Sequence, residues 1–232
     1  MATYVLVHGS FQGGWIWKPV GERLLDAGHR VYRPTLEGSA ERRRHLRDDL
    51  SLKDLGSELA DLLFYEDLHD VILVGTSMGG MVVCQAAELA PDRIKRLVFI
   101  DALVPVPGES VPTINSRPGY DRANKVYGAK PEVARGTVYT GLPAQVEDWA
   151  LARYTQQPIA PTDDPVDLRE FWSRQWQVDV LCCTRSPAPP AAHQQRTAER
   201  LNGSYAELDA GHYPMLSNVD EVAEYLLARA AG

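Results

Sequence analysis

Val71-Ile72-Leu73-Val74-Gly75-Thr76-Ser77-Met78-Gly79-Gly80 joins two kinds of structure within ten residues. The apolar, largely β-branched run Val71–Val74 predicts a strand, and Met78–Leu89 predicts a helix. Between them a Gly-x-Ser-x-Gly turn must reverse from one to the other. A serine in so tight a strand-to-helix turn has its hydroxyl lifted above the sheet edge. Glycines flank it because a β-carbon there would collide with the neighbouring strand and helix. The helix N-terminus also favours negative charge developing at this point. Ser77 is therefore the candidate nucleophile.

Outward from this turn the same alternation repeats. Tyr4–Val7, Val31–Tyr32 and Leu97–Ile100 read as further strands, without the in/out alternation of a sheet with one wet face, so both faces are expected to be covered. Helices are expected near Pro19–Ala27 and over Leu52–Leu68, where Leu52, Leu55, Leu59, Leu62 and Leu63 form one stripe and Ser51 stands as N-cap. Strands alternating with helices give βαβ units and a mostly parallel sheet with helices on both faces. From Val104 to about Gln177 the pattern changes to Pro, Gly, Tyr and Trp, with one weak helical patch at Gln145–Tyr154. A loop of that length without structure is improbable, so a small cap inserted over one sheet end is expected. Alternation resumes with a strand at Val178–Cys183, a helix at Gln194–Leu201, a strand at Tyr205–Leu208 and a helix at Val219–Arg229. Residues 1–232 suit one domain of this class.

Composition narrows the functions. A net charge of −7 argues against a nucleic-acid partner, which would require a basic stripe. Cys84, Cys182 and Cys183 lack metal-ligand spacing, so no metal is expected. The start of the chain, Met1–Gly9, has no basic or apolar leader pattern, and no run reaches the length of a membrane span. The expectation is a soluble, cytoplasmic protein with no membrane partner. Homo-oligomerisation is left open.

Two further segments carry chemistry. Val5-Leu6-Val7-His8-Gly9-Ser10 ends the first strand beside the nucleophile, where free backbone N–H groups can meet an oxyanion. The amides of Ser10 and Met78 are the expected pair, with Phe11 as the alternative to Ser10, and His8 is read as structural. Asp209-Ala210-Gly211-His212-Tyr213 follows the last strand, in a loop at the same sheet edge as Ser77. His212 is the candidate general base. His29, His45, His69 and His193 sit in polar segments of surface character.

The runs VLVHGSFQGGWIW, VGTSMGG and AGHYPML resemble the small plant-type methyl esterase and hydroxynitrile lyase group of the α/β-hydrolase superfamily, and PTLEGSAERRRHL resembles a loop of similar bacterial esterases. The likeness covers nearly the whole chain and is weakest from about Asn115 to Ala144. It implies an α/β-hydrolase fold with a lid, acting on esters without a cofactor. That group usually places its triad acid after the strand equivalent to Val178–Cys183, in a pattern resembling C-T-x-D. Here Ser186 occupies the acid's place. Phe99-Ile100-Asp101-Ala102-Leu103 resembles the pattern of haloalkane dehalogenases, whose acid ends the neighbouring strand. Asp101 is accordingly the favoured acid, with Glu109 and Asp209 weaker candidates and the absence of any acid still open.

Arg42-Arg43-Arg44 reads as a solvated loop paired with Asp48 and Asp49, or as an anion clamp. Trp149, Trp172 and Trp176 read either as walls of an apolar pocket or as cap packing. The first functional expectation is hydrolysis of a small or medium apolar ester or lactone. The alternative is a lyase or natural-product tailoring enzyme using His212 as base. Hydroxynitrile lyases of the resembling group carry a Thr directly after the first His, where this chain has Gly9, which favours hydrolysis. A binding protein that has lost catalysis would need a damaged Ser77 or His212.

Overall fold

A computed structural model describes residues 1–130, 133–135 and 138–230. In chain order the sheet strands are β1 (Thr3–Val7), β2 (Arg30–Tyr32), β3 (Val71–Ser77) and β4 (Ile94–Ala102). A two-stranded ribbon, β5 (Val126–Tyr127) and β6 (Gln157–Pro158), comes next, and the sheet closes with β7 (Val178–Cys183) and β8 (Ser204–Leu208). The six-stranded sheet runs β2-β1-β3-β4-β7-β8, and every neighbouring pair is parallel. Successive residues of a strand point to opposite faces. Val5 and Val7 join one apolar core with Leu73, Leu97 and Phe99, while Tyr4 and Leu6 join a second with Ile72, Val74, Val98 and Ile100. A strand buried on both faces leaves no polar position, which is why the alternation was absent from the sequence.

Helices α1 (Lys18–Asp26), α2 (Leu52–Tyr65) and α3 (Gly79–Leu89) connect the first four strands. Ser51 caps α2 in a capping box with Asp54, and Leu52, Leu55, Leu59 and Leu63 are its buried stripe. The expected helix to Leu68 stops at Tyr65, because Leu68 N turns back to Leu63 O at 2.9 Å and Asp67 is left-handed (φ 47°). Strand β3 extends beyond the expected Val74 as far as Ser77, and the helix after it starts at Gly79.

Between β4 and β7 the described residues form only the short helices α4 (Val111–Ile114), α5 (Ala144–Leu151), α6 (Ala160–Asp163) and α7 (Arg169–Ser173), with the antiparallel ribbon β5–β6. None of these adds to the six-stranded sheet. Aromatic contacts fasten them to the rest. Phe11 stacks on Tyr154 at 5.5 Å, Tyr139 lies 4.9 Å from Tyr213, and Trp149 meets Trp15 edge-on at 5.2 Å. The chain ends with α8 (Ala191–Arg200), α9 (Pro214–Ser217) and α10 (Val219–Leu227). Among the described residues no helix is long and apolar enough to cross a membrane.

Two surface readings are corrected. Arg42 pairs with Glu58 and donates to Thr35 O, while Asp48 pairs with Lys125 and Asp49 with Arg47. Arg42 is thus bound to α2 and Arg43 donates to Ala40 O, and among the described residues none of the three pairs with Asp48 or Asp49. His193 is buried, and its Nε2 accepts from Val104 N at 2.9 Å. Its helix presents it to the sheet despite the polar residues on either side.

Candidate active site

Ser77 ends β3 in the left-handed conformation, with φ 51°. Such an angle costs a non-glycine residue about 1–3 kcal/mol and persists only where the surroundings impose it. The close packing around it supplies the constraint. A β-carbon on Gly79 would lie 2.4 Å from His8 O, so α3 starts directly against the end of β1. A β-carbon on Gly9 would lie 2.6 Å from Ser77 Cβ. The register slips between Thr76 and Ser77, setting Ser77 opposite Ala102 and beside the end of β4.

Asp101 lies at that end, fully buried, and is left-handed at φ 47°. Its Oδ2 is 2.5 Å from His212 Nδ1. Its Oδ1 accepts from Gln194 Nε2 at 2.8 Å and from Cys183 N at 3.3 Å. A carboxylate only accepts, so Nδ1 of the imidazole is the donor in this contact. Ser186 Oγ lies 3.3 Å from the same Nδ1 and donates to Ala188 O at 2.9 Å. The other acids are engaged elsewhere. Glu109 forms a two-pronged pair with Arg196 at 2.6 and 2.8 Å, and Asp209 pairs with Arg185 at 3.0 Å.

Ser77 and His212 both line one cavity of about 260 Å³, with Ser10, Phe11, Leu103 and Tyr127 among its other walls. None of Trp149, Trp172 and Trp176 lines it. Trp172 and Trp176 pack on Phe171 instead, so packing is the correct reading for them. Among the described residues the Ser10 and Met78 amides have no protein acceptor, whereas Phe11 N donates to Gln157 Oε1 at 3.3 Å. The expected pair is free and the alternative is engaged.

The Ser10–Phe11 turn is clamped by the ribbon. Tyr127 and Gln157 are partners across β5–β6. Tyr127 OH is 2.9 Å from Ser10 Oγ, Gln157 takes the Phe11 amide, and Tyr139 OH donates to Phe11 O at 2.9 Å. This holds Phe11 at φ 70°. His8 is structural, as expected. Its Nδ1 donates to Gly9 O at 2.8 Å, its Nε2 accepts from Leu36 N at 3.0 Å, and burial pushes its pKa down to about 4.

Gln194, Tyr127 and Gln157 were not singled out from the sequence. Gln194 is an ordinary polar residue of a predicted helix, and its role exists only once α8 lies beside Asp101. Tyr127 falls in the stretch where the resemblance is weakest, and nothing in the local pattern pairs it with Gln157. Among the described residues no group of three or more His, Cys, Asp or Glu side chains could hold a metal ion.

Comparison with known proteins agrees with this architecture. A carbendazim hydrolyzing esterase of Nocardioides sp. (strain SG-4G) is 29% identical over 240 residues, covering 98% of this chain and 99% of the relative. An alpha-hydroxynitrile lyase of Arabidopsis thaliana is 26% identical over 250 residues, covering 98% of this chain and 96% of the lyase. The solved structure of an extracellular alpha/beta-hydrolase from a Paenibacillus species superposes with a TM-score of 0.84, at 24% identity and 99% coverage of both chains. The profile of the Alpha/beta hydrolase family matches residues 4–225, and the chain belongs to that family.

Proposed function

We propose that the protein is a serine esterase that cleaves a small or medium carboxylic ester through an acyl-enzyme, without a cofactor. The observation that carries this reading is the buried Asp101 carboxylate 2.5 Å from His212 Nδ1, which leaves Nε2 of the same ring as a base in the cavity that holds Ser77. Ser77 Oγ attacks the ester carbonyl carbon as Nε2 takes its proton, and Asp101 stabilises the imidazolium so formed. The Ser10 and Met78 amides, with the α3 N-terminus behind Met78, hold the oxyanion. Collapse breaks the carbon–oxygen bond to the alcohol, which leaves with the proton from His212. Water then attacks the acyl-enzyme by the same route, releasing the acid and regenerating Ser77.

A lyase or tailoring reaction with His212 as base is the second reading, and it draws on the likeness to the Arabidopsis lyase. Position 9 weighs against it. A side chain there would strike Ser77, so the Thr that the resemblance associates with hydroxynitrile lyases does not fit this backbone.

A fluorophosphonate probe tests the choice. Wild type is expected to be labelled at Ser77, located by peptide mass spectrometry, and to release a stoichiometric burst of nitrophenolate from a p-nitrophenyl ester. Ser77→Ala and His212→Ala should lose both signals. A wild-type chain that resists the probe and gives no burst would sink the esterase reading in favour of the second.

A further inference from the structure

The charge of the cavity runs against that of the chain. The protein carries a net −7, yet among the described residues the cavity lining includes Arg117 and Arg185 and no Asp or Glu side chain. The two arginines are not equivalent. Arg185 is compensated, with Nε 3.0 Å from Asp209 Oδ1 and Nη2 donating to Asp209 O at 2.8 Å. Arg117 has no carboxylate partner among the described residues. Its Nη2 donates to Tyr120 OH at 2.5 Å and its guanidinium lies over the Tyr120 ring, 5.3 Å from the centroid. The ring of Tyr120 rests 4.0 Å from that of Tyr127, whose hydroxyl meets Ser10.

An exposed arginine ordinarily sweeps through many rotamers, and ordering it to bind a ligand costs side-chain entropy. Here the tyrosine face and hydroxyl already fix the plane of the guanidinium, and one donor suffices to hold it. The remaining N–H groups form the planar fork that matches the two oxygens of a carboxylate. This fork is built on the wall that ends at the expected oxyanion loop. Arg117 and Ser77 line the same cavity.

We propose that the preferred substrate is an ester bearing a carboxylate remote from the scissile bond, held by Arg117, while Arg185 stays paired with Asp209. The proposal rests on the esterase reading and narrows its substrate class to anionic esters, in place of the apolar ester expected from the sequence. It also assigns the lining residues Arg117 and Tyr127 to recognition, with Tyr120 holding the guanidinium.

Two matched pairs test it by pH-stat: methyl hydrogen adipate against methyl hexanoate, and 6-acetoxyhexanoate against hexyl acetate. The first pair carries the carboxylate on the acyl side and the second on the alcohol side. Wild type is expected to favour the charged member of at least one pair by about tenfold or more in kcat/KM, chiefly through KM. Added salt should shrink that ratio. Arg117→Gln should abolish the preference, Arg117→Lys should keep part of it, and Arg117→Glu should reverse it. Equal or better turnover of the neutral member in both pairs overturns the proposal, as does a preference that survives Arg117→Gln. Calorimetric binding of the same esters to Ser77→Ala reads recognition without turnover. If the fluorophosphonate and burst tests fail while Ser77→Ala still prefers the charged esters through Arg117, the esterase reading falls and the anion site stands. If wild type is labelled but shows no preference, only the anion site falls.

Discussion

The end of β4 and the loop after β7 both bring an oxygen to His212 Nδ1, and they are neighbours because β4 and β7 pair directly. Asp101 Oδ2 reaches it at 2.5 Å and Ser186 Oγ at 3.3 Å. Reach therefore does not separate them. Charge and anchoring do. The Asp101 carboxylate is buried and fixed by Gln194 and the Cys183 amide, so it meets the ring with little reorganisation. The Ser186 hydroxyl spends its proton on Ala188 O, and a neutral oxygen cannot balance an imidazolium. On the proposed mechanism, the acid is the strand end that carries a buried charge with donors around it.

The largest effect expected from breaking this comparison is at Asp101. Asp101→Asn keeps the volume and can still accept from Gln194, but it faces Nδ1 with an amide that favours the unproductive tautomer. Turnover of an ester should fall by about 10⁴-fold, as in triad proteases lacking their charge. A loss below about tenfold in steady-state kcat would remove Asp101 from the role of acid.

Restoring the charge from the other strand end sharpens the comparison. In the Asp101→Asn background, Ser186→Asp sets a carboxylate where a hydroxyl already lies 3.3 Å from the ring. A recovery of about 10²-fold in kcat is expected, short of wild type because the new carboxylate lacks the Gln194 and Cys183 donors. No recovery, with folding intact by circular dichroism, would mean that the two positions are not interchangeable.

Such ratios must be read above the pH at which the fold weakens. Burial holds both His8 and His193 at about 4, below their ordinary 6.5, and Arg196 adds to the effect at His193. Between about pH 6.5 and 4 the unfolded chain binds protons that the folded one refuses, so stability falls as pH falls through that window. Each group contributes up to about 1.4 kcal/mol per pH unit, a factor of about ten. Urea midpoints at pH 7.5 and 5 should show this slope, and His193→Gln should flatten it. An unchanged slope in that variant would contradict the assignment. The smallest effect is expected at Ser186→Ala, under about threefold in kcat, because the removed hydroxyl carries no charge.

Much of this site was legible because the sheet writes itself locally. A strand buried on both faces must be an apolar run, and the tight turn after β3 must carry glycines, so Ser77 stood out. His212 was legible as a loop residue after the last strand at the sheet edge of Ser77, and Asp101 as a strand end whose surroundings resemble the haloalkane dehalogenase pattern. The segment between β4 and β7 was not. Its short helices and ribbon are held by contacts distant in sequence, such as Tyr139 on Trp15 and Tyr213, and no local period records these. The expected patch at Gln145–Tyr154 survives as α5, Ala144–Leu151, since eight residues suffice for a period. His193 was misread for the opposite reason. Its polar neighbours suggested water, while the packing of α8 against β7 buried it.

Asp101's place at the end of β4 has a consequence for how this protein can change. A loop bound to supply a charged catalytic group tolerates few alterations, because each shift of its backbone moves the charge. On the proposed mechanism the chain after β7 has no such duty, and Arg185, Pro187, Ala188 and Pro189 line the cavity that holds Ser77 and His212. New cargo can then be accommodated by redrawing this wall while the imidazole stays anchored from the sheet's interior.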